Sequence, residues 1–568
     1  MFKFKFTYVA LAAALSSSIV YADPTTYTHT SGVKVIDIEK PNSAGVSHNM
    51  YREFNVESRS GVILNNSPDN LAHDTLGNIA KNNNLTNGSA SVILNEVVSN
   101  KPSALNGFIE VAGQKADVII ANPNGITCSG CSFVNTNKAV LTTGKANLTS
   151  SGAIESYTIT QGRVTIGEDG MSAPNAYTAL LADTIAINGT LSASTAVVGA
   201  GNFTFNNSTG EMTGTNKTAT GNNVLSIDVR EFGGIKANSI SISGTNQGFG
   251  VRNKGNIAAN AVLTMTSNGE LINNGTIRNA GFYTALGMAG NFENSGNITT
   301  AGATLIDGRY HIINNGNITS DTQLAVSAYG SIQNTGTIYG KKSLSAMAGG
   351  NLYTTYGSGL WSNNALTITV LNNINHEGGI QASNTKIDFG GSTLAVTGHI
   401  ISTNDLNIRS WKDKAYGSGT LYNQGNISGN NVSILTYGDL NQYAGGNLKA
   451  KNLLSIYNNS VTNVGYIEAS QIYVDNHKLS NGGQIVGGDT KINSYSIYNE
   501  GRILANSDMV LNTDKVGDIT NRGYIGAGRS ITMTANKINN DGYKCGLLNS
   551  QTCGKGTLSS TSITANIK

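Results

Sequence analysis

A chain of 568 residues with 37 Lys and Arg against 34 Asp and Glu has a formal net charge of only +3, and 12% of it is charged, roughly half the usual fraction. Gly supplies 68 residues, Pro only 6, and 39% of the chain is hydrophobic, which excludes a disordered chain of low hydrophobicity and high net charge or abundant Pro. A nucleic-acid partner is excluded as well, because neutralising phosphates takes a basic excess or stripe that this balance does not supply.

In chain order, residues 1–22 read first as an address. Lys3 and Lys5 form a positive n-region, Tyr8 to Val20 an apolar h-region, and Val20-Tyr21-Ala22 a small-residue site that predicts cleavage after Ala22. The apolar run falls short of the roughly 18 to 20 residues a bilayer requires. The mature chain is therefore expected to begin at Asp23 and leave the cytoplasm. Residues 23 to about 61 are irregular and non-repeating, which predicts an N-terminal cap. Cys128 and Cys131 form a C-x-x-C pair, and Cys545 and Cys553 close a short loop. In an oxidising compartment each pair makes a local disulfide. A structural zinc needs four ligands and neither pair has the other two beside it, so no metal and no cofactor is expected.

The segment around the first cysteines carries a distinctive set of motifs. It reads Ser47-His48-Asn49-x-Tyr51-x-x-Phe54-Asn55-Val56, then Gly61-Val62-Ile63-Leu64-Asn65-Asn66, then Ala90-Ser91-Val92-Ile93-Leu94-Asn95-Glu96-Val97. It ends in Ala121-Asn122-Pro123-Asn124-Gly125-Ile126-Thr127-Cys128-Ser129-Gly130-Cys131. Over roughly residues 30–270 the chain resembles the N-terminal secretion (haemagglutination activity) domain of two-partner-secreted proteins: filamentous haemagglutinins, related haemolysins and contact-dependent growth-inhibition effectors. In one place it departs from the family. An upstream Asn-Pro-Asn-Leu stands here as Asn82-Asn83-Asn84-Leu85, and losing a residue that fixes φ loosens that turn; export is expected to suffer little or not at all.

The resemblance implies a route. Such chains cross the periplasm of a Gram-negative bacterium unfolded, are recognised through this domain by a cognate outer-membrane β-barrel transporter, and fold outside. The implied recognition segments are Asn122, Pro123, Asn124, Gly125 and Ile126, with Asn82, Asn83, Asn84 and Leu85 as a second. Their role is either direct contact with the transporter or the shaping of turns.

Further along, an internal repeat dominates. Apolar-x-Asn-x-Gly-x-Ile recurs with Asn253, Asn273, Asn294, Asn314 and Asn334, and the glycines that follow lie 20, 21, 20 and 20 residues apart. The core of the pattern returns less evenly at Asn423, Asn463, Asn481, Asn499 and Asn521. Short alternating strands at this period, broken by Asn-x-Gly, predict an all-β fold, a right-handed parallel β-helix (solenoid) with its N-terminal cap. Alternation points every second side chain inward. One Asn per coil is expected to stack as a ladder, and Gly and Asn to supply left-handed corners. Coiled throughout at about 20 residues per turn, the mature chain would make some 27 turns and a rod of ~130 Å. The predicted division is 1–22 signal peptide, 23–270 secretion domain and 271–568 haemagglutinin-type repeats. The chain reaches Lys568 with no evident capping element, which suggests a truncated product or a rod meant to continue.

Parallel β-helices also host pectin-cleaving enzymes, whose chemistry needs clustered carboxylates. Here Asn512-Thr513-Asp514 and Gly398-His399 are isolated fragments of such motifs, and no Asp-Asp pair occurs. No enzyme is expected, and Asp514 reads as a solvated coil edge. The expected function is a secreted or surface-exposed adhesin that binds a host or neighbouring cell, with tyrosines such as Tyr329, Tyr339, Tyr353 and Tyr356 either stacking on sugars or merely decorating coils. The alternative is the exported N-terminal portion of a growth-inhibition effector or haemolysin without its toxin region.

Overall fold

One repeat shows how this sequence makes a turn. Strands Tyr283–Met288, Phe292–Asn294 and Asn297–Thr300 are separated by short corners, and the chain then lays Ala303–Gly308, Ile312–Asn314 and Asn317–Ser320 directly on them in parallel register. Alternation sends Thr284, Leu286, Met288, Phe292, Asn294, Ile298 and Thr300 inward, where all are buried. Three strands per turn stack into the three faces of a parallel β-solenoid of about 21 turns, a rod of ~100 Å at the ordinary strand spacing. The computed structural model describes residues 23–214, 217, 218, 224–411, 419–514, 516–540, 544, 545, 551, 552 and 556–567. No helix occurs among them.

Register is kept without slips from turn to turn along most of the rod. Ile257, Ile277, Ile298, Ile318 and Ile338 pair in sequence, and Leu360, Ile380, Ile400 and Ile427 continue the column where the Asn-x-Gly signature fades. Each is at most 1% exposed, and each such aliphatic side chain contributes roughly 1.5–3 kcal/mol by burial.

The turns number fewer than the 27 that uniform coiling predicts. Successive strands of one face begin at Gly61, Phe108, Cys131, Met171, Thr190 and Gly234, so three of these five steps are about twice as long as the other two. The extra residues leave the rod. Leu71–His73 and Gly77–Ile79 form a hairpin, and Lys145–Leu148, Ile154–Ile159, Phe203–Asn206 and Met212–Gly214 form a four-stranded antiparallel sheet. That sheet seats Tyr157, Phe203 and Phe205 on outward-facing Leu94, Ile119, Val140 and Val197, a second core outside the solenoid.

The cap is smaller than the irregular sequence suggests. Lys34–Asp37 already pairs in parallel with Gly61–Asn66, and Val46–Tyr51 with Val92–Val97. The element that blocks the first edge is Thr26–Thr28, which runs antiparallel to Lys34–Asp37 and so denies the open ladder to a further strand.

The repeat glycines also act differently from expectation. Gly275, Gly296, Gly316 and Gly336 have ordinary backbone angles and are absent from the left-handed region. A Cβ on any of them would lie 2.0–2.2 Å from the carbonyl oxygen of the preceding turn's glycine. Close stacking of corners, rather than positive φ, requires glycine there.

The predicted asparagine ladder is present in two runs. Asn253 donates from Nδ2 to Asn273 Oδ1 (2.8 Å), and the chain continues through Asn294 and Asn314 to Asn334. A second run links Asn463, Asn481, Asn499, Asn521 and Asn540 at 2.7–2.8 Å. Between the runs the same register position holds Thr354, His376 and Val396, then Asn423 and Gln442, with Asn423 Nδ2 donating to Gln442 Oε1 (2.9 Å). His376 hydrogen-bonds Thr354 Oγ1 through Nδ1 (2.7 Å) and the His399 carbonyl through Nε2 (3.0 Å).

Burial pulls the His376 pKa down to about 4 from its ordinary 6.5. The unfolded chain therefore binds more protons in that window. The stability this group contributes is fully present above pH 6.5 and is lost as the pH falls toward 4, by about 3 kcal/mol. Hydrogen exchange, corrected for intrinsic rates, should show strands Leu352–Thr354, Ile374–His376 and Thr393–Val396 losing protection between pH 7 and 4.5 while Ile312–Asn314 keeps it. His376→Asn should abolish that local loss.

Candidate functional site

Asn122-Pro123-Asn124-Gly125 forms the corner between strands Ala116–Ala121 and Ile126–Cys128. The Gly125 N–H donates to the Asn122 carbonyl (3.1 Å), closing a four-residue turn, and Gly125 takes φ +114°, a conformation that only glycine adopts without strain. Asn122 is fully buried. Its Nδ2 donates to the Lys101 carbonyl (2.9 Å) and Ser103 Oγ (3.0 Å), and its Oδ1 accepts from the Asn124 N–H and Nδ2 (3.0 Å each). Ile126 enters the core. Only Asn124 is solvent-exposed, with Pro123 half-buried beside it.

The second segment is built alike without the proline. Asn82 is buried, donates to the Ile38 and Asn65 carbonyls (2.9 Å each) and accepts from the Asn84 N–H (2.9 Å). The Leu85 N–H closes the turn on the Asn82 carbonyl (3.3 Å), and Leu85 is buried. Asn83, at the position corresponding to Pro123, is exposed. The local hydrogen bonds of Asn82 and Asn122 thus define the turn whether or not proline follows. The structure does not bring the two turns together. Asn82 anchors to the ends of Lys34–Asp37 and Gly61–Asn66 on one face, whereas Asn122 follows a strand of the next face, so they occupy different corners.

Other motif asparagines are likewise consumed internally. Asn49 accepts from the Glu39 N–H and donates to the Leu94 carbonyl. Asn66 holds Ala90 from both its N–H and its carbonyl, and Asn95 accepts from the Tyr51 hydroxyl. All three are fully buried. Cys128 and Cys131 are disulfide-bonded and buried across the next corner, a short staple whose entropic contribution is correspondingly small. The expected Cys545–Cys553 bridge and the expected signal peptide lie outside the described residues. Asp514 sits in an exposed turn, held by hydrogen bonds with Asn512.

Sequence reasoning missed two half-buried charged side chains beside the antiparallel sheet, Lys138 and Asp117. Lys138 reaches Asn207 Oδ1 (2.5 Å) and lies 5.1 Å from the Tyr177 ring centre. Burial holds its amine below the ordinary value, with Asp117 pulling it back up, and the same burial raises the Asp117 carboxyl against the opposing pull of Lys138. The signal available was the continuous run Val118-Ile119-Ile120, which a strand with one wet face would not need. Among the described residues, no group of three or more His, Cys, Asp or Glu could hold a metal ion.

The family model of the TPS secretion domain matches residues 17–279. The toxin CdiA of Yersinia pestis is 39% identical over 288 residues, which are 50% of this chain and 8% of that protein. The 16S rRNA endonuclease CdiA of Enterobacter cloacae is 35% identical over 285 residues, 49% of this chain and 8% of its own length. The crystal structure of a filamentous hemagglutinin secretion domain aligns at 30% identity over 52% of this chain and 96% of that one, with a TM-score of 0.44. The match thus spans less than a tenth of the length of these CdiA relatives.

The two roles within the Asn-Pro-Asn-Gly turn separate by stability. Replacing Asn122 by Ala strands the Lys101 carbonyl and the buried Ser103 hydroxyl that its amide satisfies and should cost about 2 kcal/mol. Asn124→Ala should cost about 1 kcal/mol or less. Denaturant unfolding of the two variants compares them.

Proposed function

Because the chain belongs, through residues 17–279, to the TPS secretion domain family, we infer that it is the exported member of a two-partner secretion pair, carried through the periplasm to the cell surface or beyond. Its partner is a cognate outer-membrane transporter. The physical design suits that route. Nearly every stabilising contact joins a turn to its neighbour, so turns that have emerged fold on one another and oppose backsliding. The Cys128–Cys131 bridge is local and ties no distant parts of a threading chain.

The observation that carries the reading of the recognition segments is their split into buried and exposed members. Asn122 and Asn82 spend their amides inside the rod, which leaves Asn83 and the exposed side of Asn124, whose Nδ2 is held by the Ser99 carbonyl (2.7 Å), as the groups offered to a transporter. The division at about residue 270 is one of sequence regularity: Asn256–Ser267 pairs with Thr276–Asn279 and Tyr283–Met288 without a break in the sheet.

For the exported molecule we favour adhesion. The outer surface is a long weakly charged rod with strongly exposed aromatic side chains, Tyr329 at 85% and Tyr356 at 92% among them. No chemical step is assigned to any described residue, and no nucleic-acid partner. A second reading, the N-terminal part of a contact-dependent growth-inhibition effector, is favoured by the CdiA relatives.

Coexpression with the transporter tests the reading. The double variant Asn83→Ala/Asn124→Ala, refolding normally in vitro, should reach the surface several-fold less than the parent; undiminished export would overturn the contact role. Cells displaying the parent should bind erythrocytes or epithelial cells, whereas display without binding, accompanied by killing of neighbouring bacteria, would replace adhesion by the second reading.

A further inference from the structure

At six successive turns, one outward position of the face that carries Ile298, Ile318 and Ile338 holds Thr337, Gly359, Gly379, His399, Asn426 and Asn447. The two glycines leave the sheet bare, and Trp361 fills the gap. A Cβ on Gly359 would lie 2.2 Å from Trp361 Cε2, and one on Gly379 would lie 3.3 Å from Trp361 Nε1 and 2.6 Å from His399 Nε2. The indole therefore lies across two turns with one face against the backbone, and it remains 37% exposed on the other. Several tyrosines elsewhere are already engaged, as in the Tyr422–Tyr443 stack and the Lys449–Tyr466 contact. Among the described residues Trp361 pairs with no ring or cation.

This indole borders a trough of about 540 Å³. Its floor is the corner stripe Gly378, Gly398 and Gly425, where stacked carbonyls exclude side chains: a Cβ on Gly398 or Gly425 would meet the glycine carbonyl of the turn below at 2.1 or 2.0 Å. Two tight turns, each carried by a left-handed glycine, stand at the ends: Tyr356-Gly357 (φ +82°) and Gly445 (φ +86°). Between them lie four steps of the rod, ~19 Å, the span of a short oligosaccharide. Hydrogen-bonding groups come from Glu377, Gln424 and Asn426, and no lysine or arginine lines the trough.

We propose that this trough binds a neutral oligosaccharide, with Trp361 as the stacking platform and Glu377, Gln424 and Asn426 reading hydroxyl groups. An indole face presents apolar area to the C–H face of a pyranose ring while leaving the hydroxyls to polar neighbours. A carboxylate with no lysine or arginine beside it disfavours anionic sugars, phosphates and nucleic acid. The assignment rests on the adhesion reading for its purpose, since it names the class of molecule bound.

The sequence holds two tryptophans, Trp361 and Trp411, so a Trp411→Phe protein reports on Trp361 alone. Titrating the purified full chain with a panel of neutral tri- to hexasaccharides should give a saturable change in its fluorescence with at least one member. Against that member, immobilised, Trp361→Ala should bind at least tenfold more weakly, Trp361→Phe should keep part of the affinity, and Tyr495→Ala, on another face, should bind as the parent does. Equal thermal unfolding of the variants guards against misfolding. Absence of binding across the panel, undiminished binding by a folded Trp361→Ala, or preference for anionic sugars would overturn the proposal. Saccharide binding without cell binding would sink adhesion and keep the trough; cell binding unaffected by Trp361→Ala would do the reverse.

Discussion

The structure depends on a buried amide that finds its partners only in the neighbouring turn. Asn314, fully buried, accepts from Asn294 below and donates to Asn334 above, and also donates to the carbonyls of Gly316 in its own turn and Thr337 in the next. A buried polar group left unpaired costs about 1–3 kcal/mol, so each turn is satisfied only if the next lies in the same register at the same height. The aliphatic columns supply most of the favourable free energy, but they would tolerate a slip; the amides do not. Where the ladder lapses, between Asn334 and Asn423, its place is taken by Thr354 and His376, which hydrogen-bond each other, and by Val396, which needs no partner. The second run starts imperfectly: Asn463 Oδ1 has no partner, because the Gln442 amide turns to the Tyr466 carbonyl instead.

Much of this architecture is legible in the sequence because it is periodic. The Asn and Ile columns follow from spacing alone, and they extend correctly into turns such as Gly379-Ile380 where the Asn is missing. The reason for the glycines was not legible, since a pattern says that a side chain is excluded and not whether backbone angle or a neighbouring carbonyl excludes it. The carbonyl 2.0 Å from a Cβ on Gly316's successor Gly336 decides that question. The antiparallel excursions were hidden too. Their strands are short and carry no repeat, and their target surface, outward Leu94, Ile119 and Val140, reads in sequence as ordinary strand interior.

The candidate recognition turns were found by motif, but their division of labour needed coordinates. Asn122 and Asn124 look equivalent in Asn-Pro-Asn-Gly; one spends its amide on Lys101 and Ser103 inside the rod, and the other is solvent-exposed, with its amide on the Ser99 carbonyl at the surface. The same division at Asn82 and Asn83 explains how this chain dispenses with one proline, because the turn is closed by the asparagine before it. The Trp361 trough was invisible for a related reason. Its parts lie about 20 residues apart, and what unites them is the stacking of turns rather than any local motif.

The most direct test of the central claim is hydrogen exchange on Asn314→Ala beside Asn315→Ala, its neighbour at the solvent-facing corner. If inward amides lock turn to turn, the first change should strip protection from the strands that hold Asn294 and Asn334, leave distant turns protected, and find no counterpart in the second. Equal exchange in both variants, or a uniform loss along the whole rod, would contradict it.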